Sequence, residues 1–203
     1  MALVKAREPV EDTAPSRGFD VLIAELWSAE PRVRRAAVRD LADVPGTAIA
    51  LCDRLDVETS PSVRSAILTR LILIGTPEVA ARLTDHLHSD DAQSRNAAIE
   101  ALQEMPTAVV PLLEHLLADE DADVRIFAVN ILAVLSHEEA PERLALVVRT
   151  DPHINVCTAA LDGLVEVGAI EMISDIERLV TRFPESDFIR FAVDTAIRRI
   201  RGT

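Results

Sequence analysis

Six nine-residue segments recur through this chain about every thirty residues, and nothing else in it limits the possible folds as strongly. They are VRRAAVRDL from Val33, VRSAILTRL from Val63, SRNAAIEAL from Ser94, VRIFAVNIL from Val124, VCTAALDGL from Val156 and IRFAVDTAI from Ile189. Their second positions are Arg34, Arg64, Arg95, Arg125, Cys157 and Arg190, which gives spacings of 30, 31, 30, 32 and 33 residues. All six end in Leu or Ile seven residues further on. The apolar skeleton is kept while most of the polar letters change.

Each segment has the period of a helix. Val33, Ala36, Ala37 and Leu41 fall at i, i+3, i+4 and i+8, one face of a 3.6-residue turn. A short acidic or Pro-bearing stretch precedes every copy, for example ETSP, HSDD and RTDP. Ser and Asp satisfy free N–H groups at a helix start, and Pro is tolerated in the first turn. Upstream lies a second amphipathic stretch, such as FDVLIAELWSA, AVVPLLEHLLA or APERLALVVR. The unit is therefore a helical hairpin, with copies expected over about 18–45, 46–75, 76–106, 107–136, 137–168 and 169–201. A lone hairpin cannot bury its apolar face, so neighbours must stack. Recurring letters then face other repeats, and variable letters face solvent or a partner.

The run D-x-D-V-R-x-x-A-x-x-x-L at Asp121–Leu132 resembles the second helix of a HEAT repeat, of the short bacterial kind related to phycobilin-lyase repeats. The resemblance covers about residues 18–201. It implies an all-α fold, a right-handed α-solenoid (superhelix) of about six HEAT-like hairpins. It also implies an Asp–Arg ladder between neighbouring repeats, with Asp121 and Asp123 meeting Arg125, Asp90 and Asp91 meeting Arg95, and Arg34, Arg64 and Arg190 in the same file. Cys157 breaks that file, so the ladder is expected to weaken at repeat five. The functions it implies are a protein-binding scaffold or, alternatively, a lyase-like chaperone subunit for attaching a bilin chromophore.

Composition narrows the function classes. The chain is 49% hydrophobic with no Tyr, one Trp and five Phe, which suits helices packed through small residues. A net charge of −13 opposes nucleic-acid binding, which needs a basic surface. No stretch has the 18 or more apolar residues of a membrane span, and residues 1–17 lack the apolar core of a signal peptide. The expectation is a cytoplasmic protein, monomer or weak homodimer, with a loose leader over 1–17 and a single repeat domain over 18–203. Cys52 and Cys157 lie in apolar runs and are expected as buried reduced thiols.

Catalytic and metal signatures are sparse. His86 and His115 hold equivalent places in TDHL and LEHL, beside Asp85 and Glu114. Zinc needs three or four convergent ligands, so these are expected to form a solvated polar row. The HEAT-like iron-dependent hydroxylases use several His-Glu pairs, whereas this chain has one, in SHEEAPERL. There is no Gly-rich phosphate loop, nucleophile elbow or Cys-x-x-Cys, so no catalytic site and no cofactor are expected.

Two columns remain for recognition. One reads Arg35, Ser65, Asn96, Ile126, Thr158, Phe191, and four residues on the other reads Arg39, Thr69, Glu100, Asn130, Asp162, Thr195. They share the helix face turned away from the core, which in stacked hairpins lines the inner curve. Arg35, Arg39, Thr69, Asn96, Glu100, Ile126, Asn130 and Asp162 are therefore the candidate contacts for a protein partner. Phe127 interrupts a column of alanines (Ala36, Ala66, Ala97, Ala159, Ala192) and is expected to fill a gap between repeats. Phe19 and Trp27 are expected to cap the first repeat, and Arg198, Arg199 and Arg201 to suit the negative end of the last helix.

Overall fold

The computed structural model describes residues 18–41, 46–135, 137–167 and 170–202, and the expected leader over 1–17 lies outside them. Every regular element among the described residues is helical. The chain is an all-α repeat fold of helical hairpins, and its described residues divide into two compact units, one ending at Ile67 and the other beginning at Leu68.

The first unit holds α1 (Phe19–Leu26), α2 (Pro31–Asp40), α3 (Thr47–Val57) and the first half of α4 (Pro61–Ile74). Its buried residues are those the repeat keeps: Leu22 and Leu26 on α1, Ala37, Val38 and Leu41 on or just after α2, Leu51 and Leu55 on α3, Val63 and Ile67 on α4. Pro31 and Pro61 open the second helices, where a missing N–H costs nothing.

The second unit contains the rest of α4, then α5 (Pro77–Thr84), α6 (Ala92–Gln103), α7 (Pro106–Val109), α8 (Leu113–Leu117), α9 (Ala122–Val134), α10 (Ala140–Thr150), α11 (Ile154–Glu166), α12 (Ile173–Arg182) and α13 (Asp187–Arg201). Gly75 ends α4 with φ +57°, a left-handed backbone that a side chain disfavours. Three second helices, α6, α9 and α13, begin on side-chain caps. Asp91 accepts from the Gln93 and Ser94 amides, Asp121 from the Asp123 amide, and Ser186 from the Ile189 amide. The fifth position of the repeated segment is buried in all six copies, as Ala37, Ile67, Ala98, Ala128, Ala160 and Val193.

First helices are less regular than their amphipathic pattern suggests. That of repeat four is interrupted between α7 and α8 by a 3₁₀ turn, Val110–Leu112, around Pro111. Pro111 has no N–H to donate, and its ring crowds the preceding turn. The first helix of repeat three likewise tightens to 3₁₀ over Asp85–His88, and that of repeat six starts with one over Ile170–Met172.

Neighbouring second helices approach closely where side chains are small. A Cβ placed on Gly163 of α11 would lie 3.0 Å from the Ala133 Cβ of α9 and 3.1 Å from Leu144 Cδ1 of α10. Gly163→Val should therefore lower the unfolding free energy by about 2 kcal/mol through overpacking, read from the midpoint of urea unfolding. An unchanged midpoint would mean that α9 and α10 yield freely.

Candidate partner-binding surface

The arginine file positions the second helices by tying each to the end of its own first helix. Arg34 donates to the Ser28 and Ala29 carbonyls, Arg64 to those of Leu55 and Glu58, Arg95 to that of Ser89, Arg125 to those of Asp119 and Glu120, and Arg190 to that of Pro184. Carbonyls at a helix C-terminus have no partner within the helix, so a guanidinium there satisfies them and suits the local negative potential. Even Cys157 keeps the habit, its Sγ lying 3.2 Å from the Asp151 carbonyl six residues back.

The carboxylates hydrogen-bonded to the file differ from those implied by the resemblance, and Asp121 acts on Arg125 only through its charge. Asp91 and Asp121 are occupied as helix caps, and Asp123 is exposed on the first turn of α9. Arg34 instead grips both oxygens of Glu58 at 2.6 and 2.7 Å, and Arg125 grips Asp151 at 2.7 and 3.2 Å. Glu58 and Asp151 stand six residues before the next position of the file, where the backbone turns from first to second helix. One residue thus offers its side chain to the preceding repeat and its carbonyl to its own. Arg190 pairs within its own turn, with Asp187.

Glu58 sits in a small charged network. Its side chain is wholly buried, and it also accepts from Arg54 and from the Thr59 and Ser60 amides. Burial alone would raise its carboxyl; Arg34, the Ser60 amide and Arg54 outweigh burial and hold it at about 2. Arg54 in turn lies over the Trp27 ring at 5.3 Å.

At repeat five, where Cys157 interrupts the file, a cation comes from elsewhere. Arg182 of α12 reaches back to the Val148 and Asp151 carbonyls at the end of α10 and lies 3.5 Å from Cys157 Sγ. Arg149 of α10 also donates to Asp175 of α12 at 2.8 Å. Burial raises the Cys157 thiol pKa, and Arg182 pulls against that rise. Both cysteines are buried and neither is in a disulfide.

Phe127 is half-buried, and the Arg95 guanidinium lies 5.9 Å from its ring centroid, so the ring meets the arginine file. His88 meets an acid: its Nε2 lies 3.4 Å from Asp119 Oδ2. Among the described residues no three His, Cys, Asp or Glu side chains gather as metal ligands do. No helix there is long and apolar enough to cross a membrane.

The two recognition columns stand outward on the second helices. Arg35 and Arg39 are exposed in the first unit. In the second, Thr69, Asn96, Glu100, Asn130 and Asp162 are exposed, and Ile126 is half-buried. Between α11 and α13 this surface opens into a groove of about 250 Å³, lined by Thr158, Asp162 and Val165 on one side and Phe188, Phe191 and Arg199 on the other. Phe188 and Phe191 are 58% and 67% exposed. The Asp162 carboxyl pKa is raised: burial pushes it up, Arg199 opposes this, and Glu166 adds to it. Arg199 itself pairs with Glu166 at 3.3 Å. Sequence reading placed Asp162 on this face and missed Phe188. Its column was legible, however: Arg32, Ser62, Gln93, Asp123, Asn155, then Phe188.

Family models for HEAT repeats match residues 19–103 and 109–137, together more than half of the chain. This is a HEAT-repeat protein. Among solved structures, the HEAT-repeat chain is similar to an engineered protein at 19% identity and a TM-score of 0.41, covering 90% of this chain and 96% of that one. A second engineered protein is 18% identical with a TM-score of 0.41, covering 91% and 98%. The complex of CpcE and CpcF of phycocyanin lyase from Nostoc sp. PCC7120 is 16% identical with a TM-score of 0.39, covering 97% and 100%. No curated protein matches the HEAT-repeat chain.

Proposed function

We propose that this HEAT-repeat chain is a non-catalytic protein-interaction module that binds a partner protein on the exposed faces of its second helices. One observation carries the reading. Along each second helix the buried positions repeat from copy to copy, while the outward positions differ in every copy, from Arg35 and Arg39 to Asn96 and Glu100, Ile126 and Asn130, and Thr158 and Asp162. A framework that needed only water outside would accept any polar residue there, yet this one also displays Ile126 and two phenylalanines. A surface held rigid by stacked hairpins loses little entropy on docking, so modest contacts suffice.

The test is affinity capture from the native cell, repeated with variants of the second unit. Asn96→Ala, Glu100→Ala and Asn130→Ala together should weaken retention of the captured protein about ten-fold, from roughly 0.5 kcal/mol per lost contact. A separate Arg35→Ala, Arg39→Ala variant examines the first unit. Retention equal to the parent in both would remove this face from the proposal.

A further inference from the structure

We infer that the groove between α11 and α13 receives a segment of a partner polypeptide carrying a lysine or arginine next to a bulky apolar residue, with the cation on Asp162 and the apolar group between Phe188 and Phe191. The inference rests on the protein-binding reading above and names the chemistry of what is bound. Phe188 and Phe191 stand three apart, on one face of α13. The same two positions hold Arg32 and Arg35, Ser62 and Ser65, and Gln93 and Asn96 in the first three repeats. Packing therefore does not require aromatics there, and two phenylalanines more than half exposed need another explanation.

The spacing of second helices also differs along the second unit. Gly163 draws α9 and α11 together, whereas α11 and α13 leave about 250 Å³ between them. That is below the roughly 300–1,000 Å³ of pockets for small organic ligands, and it suits a pair of side chains. Exposed aromatics beside such a space are the usual anchors of protein recognition.

Charge selects the occupant. No hydrogen bond or ion pair within the described residues satisfies the Asp162 carboxylate, while Arg199 is paired with Glu166. Asp162, Glu166 and Arg199 together thus leave one net negative charge at the groove, on a chain of net charge −13. A second copy docked with its two-fold axis through the groove would bring the two Asp162 carboxylates together, and each copy carries a net charge of −13, so charge opposes self-association there. A basic partner gains from the local carboxylate and from long-range steering.

The test is a phage-displayed heptapeptide library selected on the full chain, followed by fluorescence polarisation with the enriched peptides. Enrichment of Lys or Arg adjacent to Leu, Ile, Phe or Trp is expected. Phe188→Ser with Phe191→Ser should weaken those peptides at least ten-fold without loss of fold, because Ser62 and Ser65 already occupy these positions in repeat two. Asp162→Asn should abolish the advantage of a basic over an uncharged peptide and leave the apolar contribution in place. No enrichment, enriched peptides without a cation, or binding indifferent to both changes would each overturn the inference. The last outcome would still leave the interaction role standing, through a different surface. Self-association that disappears in the double serine variant would also overturn it, by making a second copy the occupant.

Discussion

Glu58→Ala is expected to lower stability by about 3–5 kcal/mol, the range for breaking a buried ion pair from one side. The side chains of Arg34 and Glu58 are only 7% and 0% exposed, so alanine leaves a guanidinium facing protein instead of water. Three further donors lose their acceptor at once: Arg54 and the Thr59 and Ser60 amides. Urea unfolding with the parent slope and a lower midpoint would show this. Replacing both partners, as Arg34→Met with Glu58→Leu, should recover part of the loss, because the uncompensated charge is then gone. Recovery stays partial, since the two amides still lack their acceptor. An unfolding free energy for Glu58→Ala within about 1 kcal/mol of the parent would mean that water reaches Arg34 freely.

The same pair predicts an acid dependence. The folded carboxyl is held at about 2, below its ordinary 4.5. Between those values the unfolded chain binds a proton that the folded chain does not, so stability falls as pH falls. The contribution is fully present above about 4.5 and is lost on acidification toward 2. The stability gap between the parent and Glu58→Gln should therefore narrow between pH 4.5 and pH 2, and hold constant from pH 5 to 7. A gap that widens with acid would reverse the sign and refute the pairing.

The hairpins were legible because burial is periodic: the fifth position of the segment is buried six times out of six, and a 3.6-residue period records that directly. The arginine file was legible for the same reason. Its acceptors were harder, since Glu58 and Asp151 sit in the turns between helices, where periodicity says nothing. The aspartates nearest in sequence, Asp91 and Asp121, instead serve the adjacent amides, a local contact that wins over a distant one at no cost in loop closure. Asp162 was placed on the outward face by its column alone. The groove beside it depends on how far α13 stands from α11, a tertiary distance no repeat pattern encodes. Pro111 was visible in the sequence but was read inside a continuous amphipathic stretch, although a residue without an N–H breaks such a helix.

Cys157 permits the sharpest test of how the file is built. The residue four past each second-helix N-cap is elsewhere arginine, and here the guanidinium arrives on Arg182 from the next hairpin. Cys157→Arg alone should cost about 4 kcal/mol, because it buries a second cation against the first at a position with no exposure. Arg182→Ala alone should cost about 2 kcal/mol, by leaving the Val148 and Asp151 carbonyls unmet. Combined, the two changes should cost far less than their sum, with a coupling of about 3 kcal/mol, as the arginine introduced at position 157 takes up the Asp151 carbonyl six residues back, just as Arg34, Arg95, Arg125 and Arg190 do in their own repeats. Chemical denaturation of the four proteins closes the cycle. Additive losses would mean that Arg182 and the file are independent, and the cation at repeat five would then have nothing to do with the missing arginine. Coupling of the stated size would mean that this repeat requires a guanidinium at one place and is indifferent to which helix supplies it.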